Sequence, residues 1–153
     1  MRILVDTNLI TPLAQPTHQH HKTAQTAVEN IRARNDDLCI VPQVIYEFWV
    51  VATRPVSPER GLGMSGTRAN KEIGTIRKLF TLLDDTPGLF QEWHRLVVQY
   101  DVHGRPAHDA RFVAAMIQLG ITHILTFNAK DFRRYSEITV LCPDQVTRPP
   151  GQD

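Results

Sequence analysis

Arg2-Ile3-Leu4-Val5-Asp6-Thr7-Asn8 opens the chain with a short apolar run that stops on a carboxylate. Consecutive apolar residues without polar alternation fit a strand buried on both faces, as in a parallel sheet. The pattern returns in Leu38-Cys39-Ile40-Val41, halted by Pro42. It returns again in His123-Ile124-Leu125-Thr126-Phe127 and in Thr139-Val140-Leu141, which Pro143 ends. Helical spacing fills the intervals. Ala24, Ala27, Val28 and Ile31 predict a helix over 17–34, and 44–52 is a strongly apolar helix carrying one acid, Glu47. Ala69, Ile73, Ile76, Phe80 and Leu83 predict a third, although its last turn reads equally well as a strand near 80–83. Pro87 opens a helix running to about residue 100, and another starts near Ala107 and closes at Gly120. Directly after the Glu47 helix, 53–66 holds Pro55, Pro58, Gly61, Gly63 and Gly66 and reads as a loop.

Strands alternating with helices predict an α/β fold: one three-layer α/β/α domain with a mainly parallel sheet. It is expected to span 1–146, followed by a frayed tail over 147–153. The 153 residues, 42% hydrophobic and 22% charged, exclude a disordered or fibrous chain. The longest apolar run is 112–117, far short of a membrane span, and only three apolar residues follow Met1-Arg2, too few for a signal peptide. Cys39 and Cys142 have no metal or redox spacing, which suggests a reducing cytoplasm. The net charge of +1 neither demands nor forbids nucleic acid. Locally, however, Arg105, Arg111, Lys130, Arg133 and Arg134 face only Asp109 and Asp131 between residues 103 and 134.

In an open α/β sheet, ligands bind outside the carboxyl ends of the strands. Asp6 directly follows the first strand, Asp131 lies just beyond the 124–127 strand, and Asp109 stands in the first turn of the helix before it. Glu47 is alone in an apolar helix, costly if buried without a partner. Singly, each acid has an ordinary role as helix cap, turn residue or ion-pair member. Four carboxylates in one cleft repel one another unless a divalent cation sits among them, and Mg²⁺ or Mn²⁺ prefers such oxygen ligands. Such a site suits phosphodiester hydrolysis, in which the metal activates water and offsets phosphoryl charge. Asn8 and Asn128 are near enough to Asp6 and Asp131 to orient a carboxylate or a bound water.

Ile3-Leu4-Val5-Asp6-Thr7-Asn8, the Glu47 helix, His108-Asp109-Ala110 and Leu125-Thr126-Phe127-Asn128-Ala129-Lys130-Asp131-Phe132 together resemble the signature blocks of PIN-domain ribonucleases, most closely the VapC-like toxins of bacterial type II toxin–antitoxin pairs. The resemblance runs from Arg2 to about Pro143, and only the 53–66 insert is longer than a minimal member needs. It implies a Mg²⁺- or Mn²⁺-dependent endoribonuclease that is homodimeric and held inactive by a cognate antitoxin. Asp6, Glu47, Asp109 and Asp131 would form its acidic quartet, with Asp6, Asp109 and Asp131 the leading metal ligands. Thr126 or Asn128 would supply the polar group near the fourth acid. Arg105, Arg111, Lys130, Arg133 and Arg134 are candidate RNA contacts, with solvated salt bridges as the alternative.

Rival readings exist. Gly61-Leu62-Gly63-Met64-Ser65-Gly66 spells a dinucleotide-binding pattern, with Asp84 and Asp85 about 20 residues on, but no strand directly precedes it. Asp6-Thr7-Asn8 resembles a phosphatase nucleophile loop whose second acid is replaced by Asn8. A catalytically silent PIN-fold binding protein is a third alternative. His18, His20 and His21 cluster without a completing Cys or acid, so they read as exposed polar residues rather than a zinc site. Trp49 and Trp93 read as core or interface aromatics.

Overall fold

The computed structural model describes residues 1–146 and Gly151; the rest of the predicted tail lies outside the described residues. β1 (Arg2–Val5) is the centre of a five-stranded sheet. β2 (Asp37–Ile40) and β4 (His123–Leu125) flank it, with β3 (Thr81–Leu82) and β5 (Thr139–Leu141) outside them, in the order β3-β2-β1-β4-β5. Every pairing is parallel, so the expected mainly parallel sheet is entirely so. Side chains alternate between the faces of a strand, yet Ile3, Leu4 and Val5 are all buried, so both faces of β1 are covered.

Among the described residues, six α-helices accompany the sheet: α1 (Thr7–Ala14), α2 (His21–Ala33), α3 (Pro42–Thr53), α4 (Gly66–Leu79), α5 (Leu89–Gln99) and α6 (Pro106–Leu119). The apolar spacing of α2 faces inward as read, with Ala24, Ala27, Val28 and Ile31 buried. In α3, Val44, Phe48 and Ala52 recur at intervals of four and are buried, while Tyr46, Trp49 and Val50 stay exposed. Gly120 ends α6 at φ 68°, the left-handed conformation that glycine adopts freely, and Ile121 N–H then closes the helix on the Met116 carbonyl at 2.8 Å. No helix among the described residues is long and apolar enough to cross a membrane.

Three boundaries differ from the sequence reading. Thr7 starts a helix at once, where the sequence pattern marks no element; Pro12 inside it and the β-branched Thr7, Ile10 and Thr11 disguise its pattern. The helix predicted over 17–34 begins only at His21, because residues before it form two successive turns, with His18 N–H on the Gln15 carbonyl (2.9 Å) and His21 N–H on the His18 carbonyl (3.0 Å). The ambiguous end of the third predicted helix is a strand: α4 stops at Leu79, Phe80 is extended, and Thr81–Leu82 joins the sheet.

The topology positions the site. The chain builds one half of the sheet outward from β1 to β2 and β3, then crosses through α5 and α6 to add β4 on the other side of β1. Connections leave β1 and β4 in opposite directions, opening a crevice at their carboxyl ends.

Candidate active site

Asp6 sits at that crevice. Its backbone N–H continues the ladder by donating to the Leu125 carbonyl (3.0 Å), fixing it beside the end of β4. Although it occupies the N-cap position of α1, its side chain makes no capping bond. Its Oδ2 accepts instead from the Thr126 hydroxyl at 2.7 Å. That hydroxyl in turn accepts from Asn8 Nδ2 (3.1 Å) and from the Asn128 N–H (3.0 Å). One donor and two lone pairs are thus all engaged, so Thr126, itself fully buried, is locked in place. Asn8 Oδ1 also accepts from the Phe127 N–H (3.2 Å), tying α1 to the chain beyond β4.

Glu47 approaches from α3, half-buried. Thr7 Oγ1 donates to its Oε1 and Gln43 Nε2 to its Oε2, both at 3.3 Å. Gln43 Nε2 donates as well to the His108 carbonyl at 2.9 Å, next to Asp109. Both neighbours of this nitrogen are acceptors, which fixes the orientation of the amide. Its Oε1 is buried and has no partner among the described residues. Asp109 projects from the first turn of α6, where a carboxylate is favoured, and Asp131 from a short 3₁₀ turn, Ala129–Asp131. Asp6, Glu47, Asp109 and Asp131 line one cleft of about 960 Å³.

The electrostatics follow from burial. Asp6, only 7% exposed, is pushed up from 3.8 to about 6, chiefly by desolvation; the Thr126 hydrogen bond works against this and the Glu47 charge with it. Asp109 is also pushed up to about 6, by desolvation first and then by the charges of Asp6 and Asp131. Glu47 is raised by desolvation, with Asp109 adding to the rise and its Gln43 and Thr7 hydrogen bonds opposing it. For Asp6, Glu47 and Asp109, then, loss of water outweighs the repulsion of neighbouring charges.

Among the described residues, no three His, Cys, Asp or Glu side chains are already gathered as a metal-ligand set. The acids line the cleft walls instead of clasping its centre. An all-oxygen donor set of spaced, electrostatically strained carboxylates fits Mg²⁺ or Mn²⁺, which keeps several waters and takes only one or two carboxylates directly.

The predicted accessory and basic residues divide. Thr126 reaches Asp6, whereas Asn8 grips Thr126 and not a carboxylate, and Asn128 contributes its backbone N–H. Arg105 and Arg111 line the cleft, but the Arg111 guanidinium is paired with Asp85 at 3.0 Å, which commits its charge. Lys130, Arg133 and Arg134 are exposed beyond β4, and Arg134 stands near enough to Asp109 to oppose its rise.

Sequence reasoning missed Gln43 and Thr7, the two partners of Glu47. The spacing of four between Gln43 and Glu47 on one helix was the available signal.

The first two glycines of the dinucleotide-like pattern spend their N–H groups within the chain. Gly61 N–H bonds the Pro55 carbonyl and Gly63 N–H the Arg54 carbonyl (both 2.8 Å), folding the loop back on the end of α3. A Cβ at Gly61 would lie 2.1 Å from the Arg54 carbonyl oxygen, so close packing explains that glycine. Cys39 is buried against the Ile3 carbonyl (3.4 Å), and desolvation pushes its thiol up to about 12, as suits an unreactive core residue.

A parallel α/β sheet with this carboxylate-lined switch point is the arrangement of a PIN domain, and the family's profile matches residues 3–138; the chain belongs to the PIN domain family. Comparison with curated protein sequences gives no match. Among solved structures, it is similar to VapBC-1 from nontypeable Haemophilus influenzae (TM-score 0.70, 15% identity, covering 95% of this chain and 100% of that one). It is similar also to VapBC2 from Rickettsia felis, bound to a DNA fragment from their promoter (0.69, 14%, 93% and 98%). A third is VapC20 of Mycobacterium tuberculosis, a Sarcin-Ricin loop cleaving toxin (0.58, 22%, 80% and 86%). At these identities the likeness is one of fold.

Proposed function

We propose that the protein is a divalent-metal-dependent endoribonuclease and the toxin of a toxin–antitoxin pair, acting in the cytoplasm. What supports the reading is the convergence of Asp6, Glu47, Asp109 and Asp131, from four separate segments, on one cleft inside a PIN domain. Natural chains do not gather desolvated carboxylates without a use for them, since each raises the cost of the others' charge. When bound, Mg²⁺ or Mn²⁺ supplies charge compensation at the phosphate and acidifies water. Asp6, Asp109 and Asp131 would hold it, directly or through waters. Thr126 keeps Asp6 in one orientation, and Thr7 and Gln43 do the same for Glu47. Glu47, whose carboxyl is raised by burial, is suited to orient the attacking water and receive its proton. Arg105, Lys130, Arg133 and Arg134 supply cations around the acidic centre, where phosphates must pass.

The toxin reading draws also on the structural neighbours, several of which are toxin–antitoxin complexes. Exposed Tyr46, Trp49 and Val50 on α3 and Phe90 and Val98 on α5 are apolar surface suited to a second copy or an antitoxin. Light scattering of the isolated chain at high micromolar concentration should give a dimer's mass; a monomer alone would refute self-association.

Labelled single-stranded RNA incubated with the antitoxin-free chain should be cut with Mn²⁺ or Mg²⁺ and left intact with EDTA. Asp109→Asn should slow cleavage at least about 100-fold. Wild-type rates from this variant would overturn the site, and metal-independent cleavage would overturn the chemistry.

A further inference from the structure

The loop between α1 and α2 carries imidazoles that the acidic site does not use. The two turns at 15–21 bring this loop back to the cleft, and His20 N–H donates to His18 Nδ1 at 3.0 Å, which fixes the His18 ring. The His18 and His20 ring centres are 5.6 Å apart. The His20 ring lies in turn against Phe127, 4.9 Å between centres and tilted by 31°. His18 and Phe127 both line the cleft of the four acids, and His20 joins them from outside. Phe127 is also the residue after Thr126, with its N–H held by Asn8, so its backbone is fixed relative to Asp6.

We propose that His18, His20 and Phe127 form a stacking shelf for an unpaired nucleobase beside the phosphate that the acids address. This rests on the ribonuclease reading above. Single-stranded RNA is recognised chiefly by stacking its bases on aromatic rings, histidine among them, while cations track its backbone. Here rings and cations share one cleft: the shelf stands on the α1 side, and Arg54 and Arg105 line the same cleft. Desolvation and the neighbouring His20 and His21 lower the His18 pKa, so at neutral pH it offers an uncharged face. A ring set on the lip of a cleft also has a use that a core aromatic does not, because its faces stay reachable.

The test measures binding of a short single-stranded RNA carrying 2-aminopurine, whose fluorescence falls on stacking, to the full chain with Asp6→Asn to prevent cleavage. His18→Ala and His20→Ala should each weaken binding about 5- to 100-fold and restore the fluorescence. His18→Phe should recover both. The salt dependence should keep its slope, since no phosphate contact is lost. An oligomer with an abasic site in place of the probe should bind both forms alike. Because both histidines are in a surface loop, unchanged melting temperatures will show that the fold is intact; Phe127→Leu, which keeps apolar bulk, is the independent third variant. Unaltered affinity and quenching in all three, while the wild type still cuts RNA, would overturn the shelf alone. Equal losses toward the abasic oligomer would overturn it in favour of a backbone contact. Losses confined to antitoxin binding would overturn it in favour of a protein-docking role. A wild type that neither binds nor cuts RNA would instead overturn the ribonuclease reading beneath it.

Discussion

Replacing Asp6 by asparagine should make the metal-free protein more stable. In the native state the Asp6 carboxyl titrates at about 6, against 3.8 for its ordinary value. Between these values the folded chain binds more protons than the unfolded one, so stability falls as pH rises through the window from about 4 to 6. A gap of roughly two pH units corresponds to ~3 kcal/mol of destabilisation once both states are ionised. The side-chain amide of the Asp6→Asn variant would remove that cost yet still accept from the Thr126 hydroxyl, and its size is nearly that of the carboxylate. Because Asp6 titrates together with Glu47 and Asp109, the neighbours take up part of the relief, leaving a gain of about 1–3 kcal/mol. For a chain of this length that is a rise in Tm of roughly 2–12 °C. Thermal melts in EDTA at pH 8 and pH 4 provide the assay. The gain should be present at pH 8 and largely gone at pH 4, where the wild-type carboxyl is already protonated in the native state. Added Mn²⁺ should stabilise the wild type more than the variant. No gain at pH 8, or the same gain at both pH values, would refute the claim that a buried, charge-strained Asp6 is what the cleft is built around.

Thr126→Val keeps the shape of the side chain but strips Asp6, Asn8 and the Asn128 N–H of their common partner; urea melts should show a loss of about 2–4 kcal/mol, and Thr126→Ser should restore most of it. Replacing Arg133 and Arg134 together by alanine should weaken RNA binding and flatten the slope of log affinity against log salt by about 1–1.5, while Mn²⁺ stabilisation persists. An unchanged slope in an RNA titration would remove these arginines from the substrate path.

Much of the fold was legible because buried parallel strands announce themselves: Ile3-Leu4-Val5 and Leu38-Cys39-Ile40 have no polar alternation, and Gly120 marks the end of α6 as its left-handed φ requires. The first helix was not, since Pro12 and β-branched residues give it the local look of a loop and only its packing makes it helical. At the site, Asp6, Asp109 and Asp131 stood out by their places after strands and at a helix start, and Glu47 as the lone acid of an apolar helix. Their partners could not: the Thr126 hydroxyl is fully engaged by groups up to 120 residues away, a juxtaposition made by strand pairing alone. The pairing of Arg111 with Asp85 was hidden for a similar reason, because the two stand 26 residues apart on either side of α5.

The central position of β1 has a consequence for a chain still being synthesised. Its first strand emerges early and finds β2 soon afterwards, but its other neighbour, β4, begins only at His123. Until that segment leaves the ribosome, one edge of β1 stands open, Asp6 lacks its Thr126 partner, and Asp131 has not been made. A nascent or prematurely ended chain therefore carries the first acid without the cleft. Whatever activity the site has is withheld from the machinery that builds it until β4 and the turn behind it have been read.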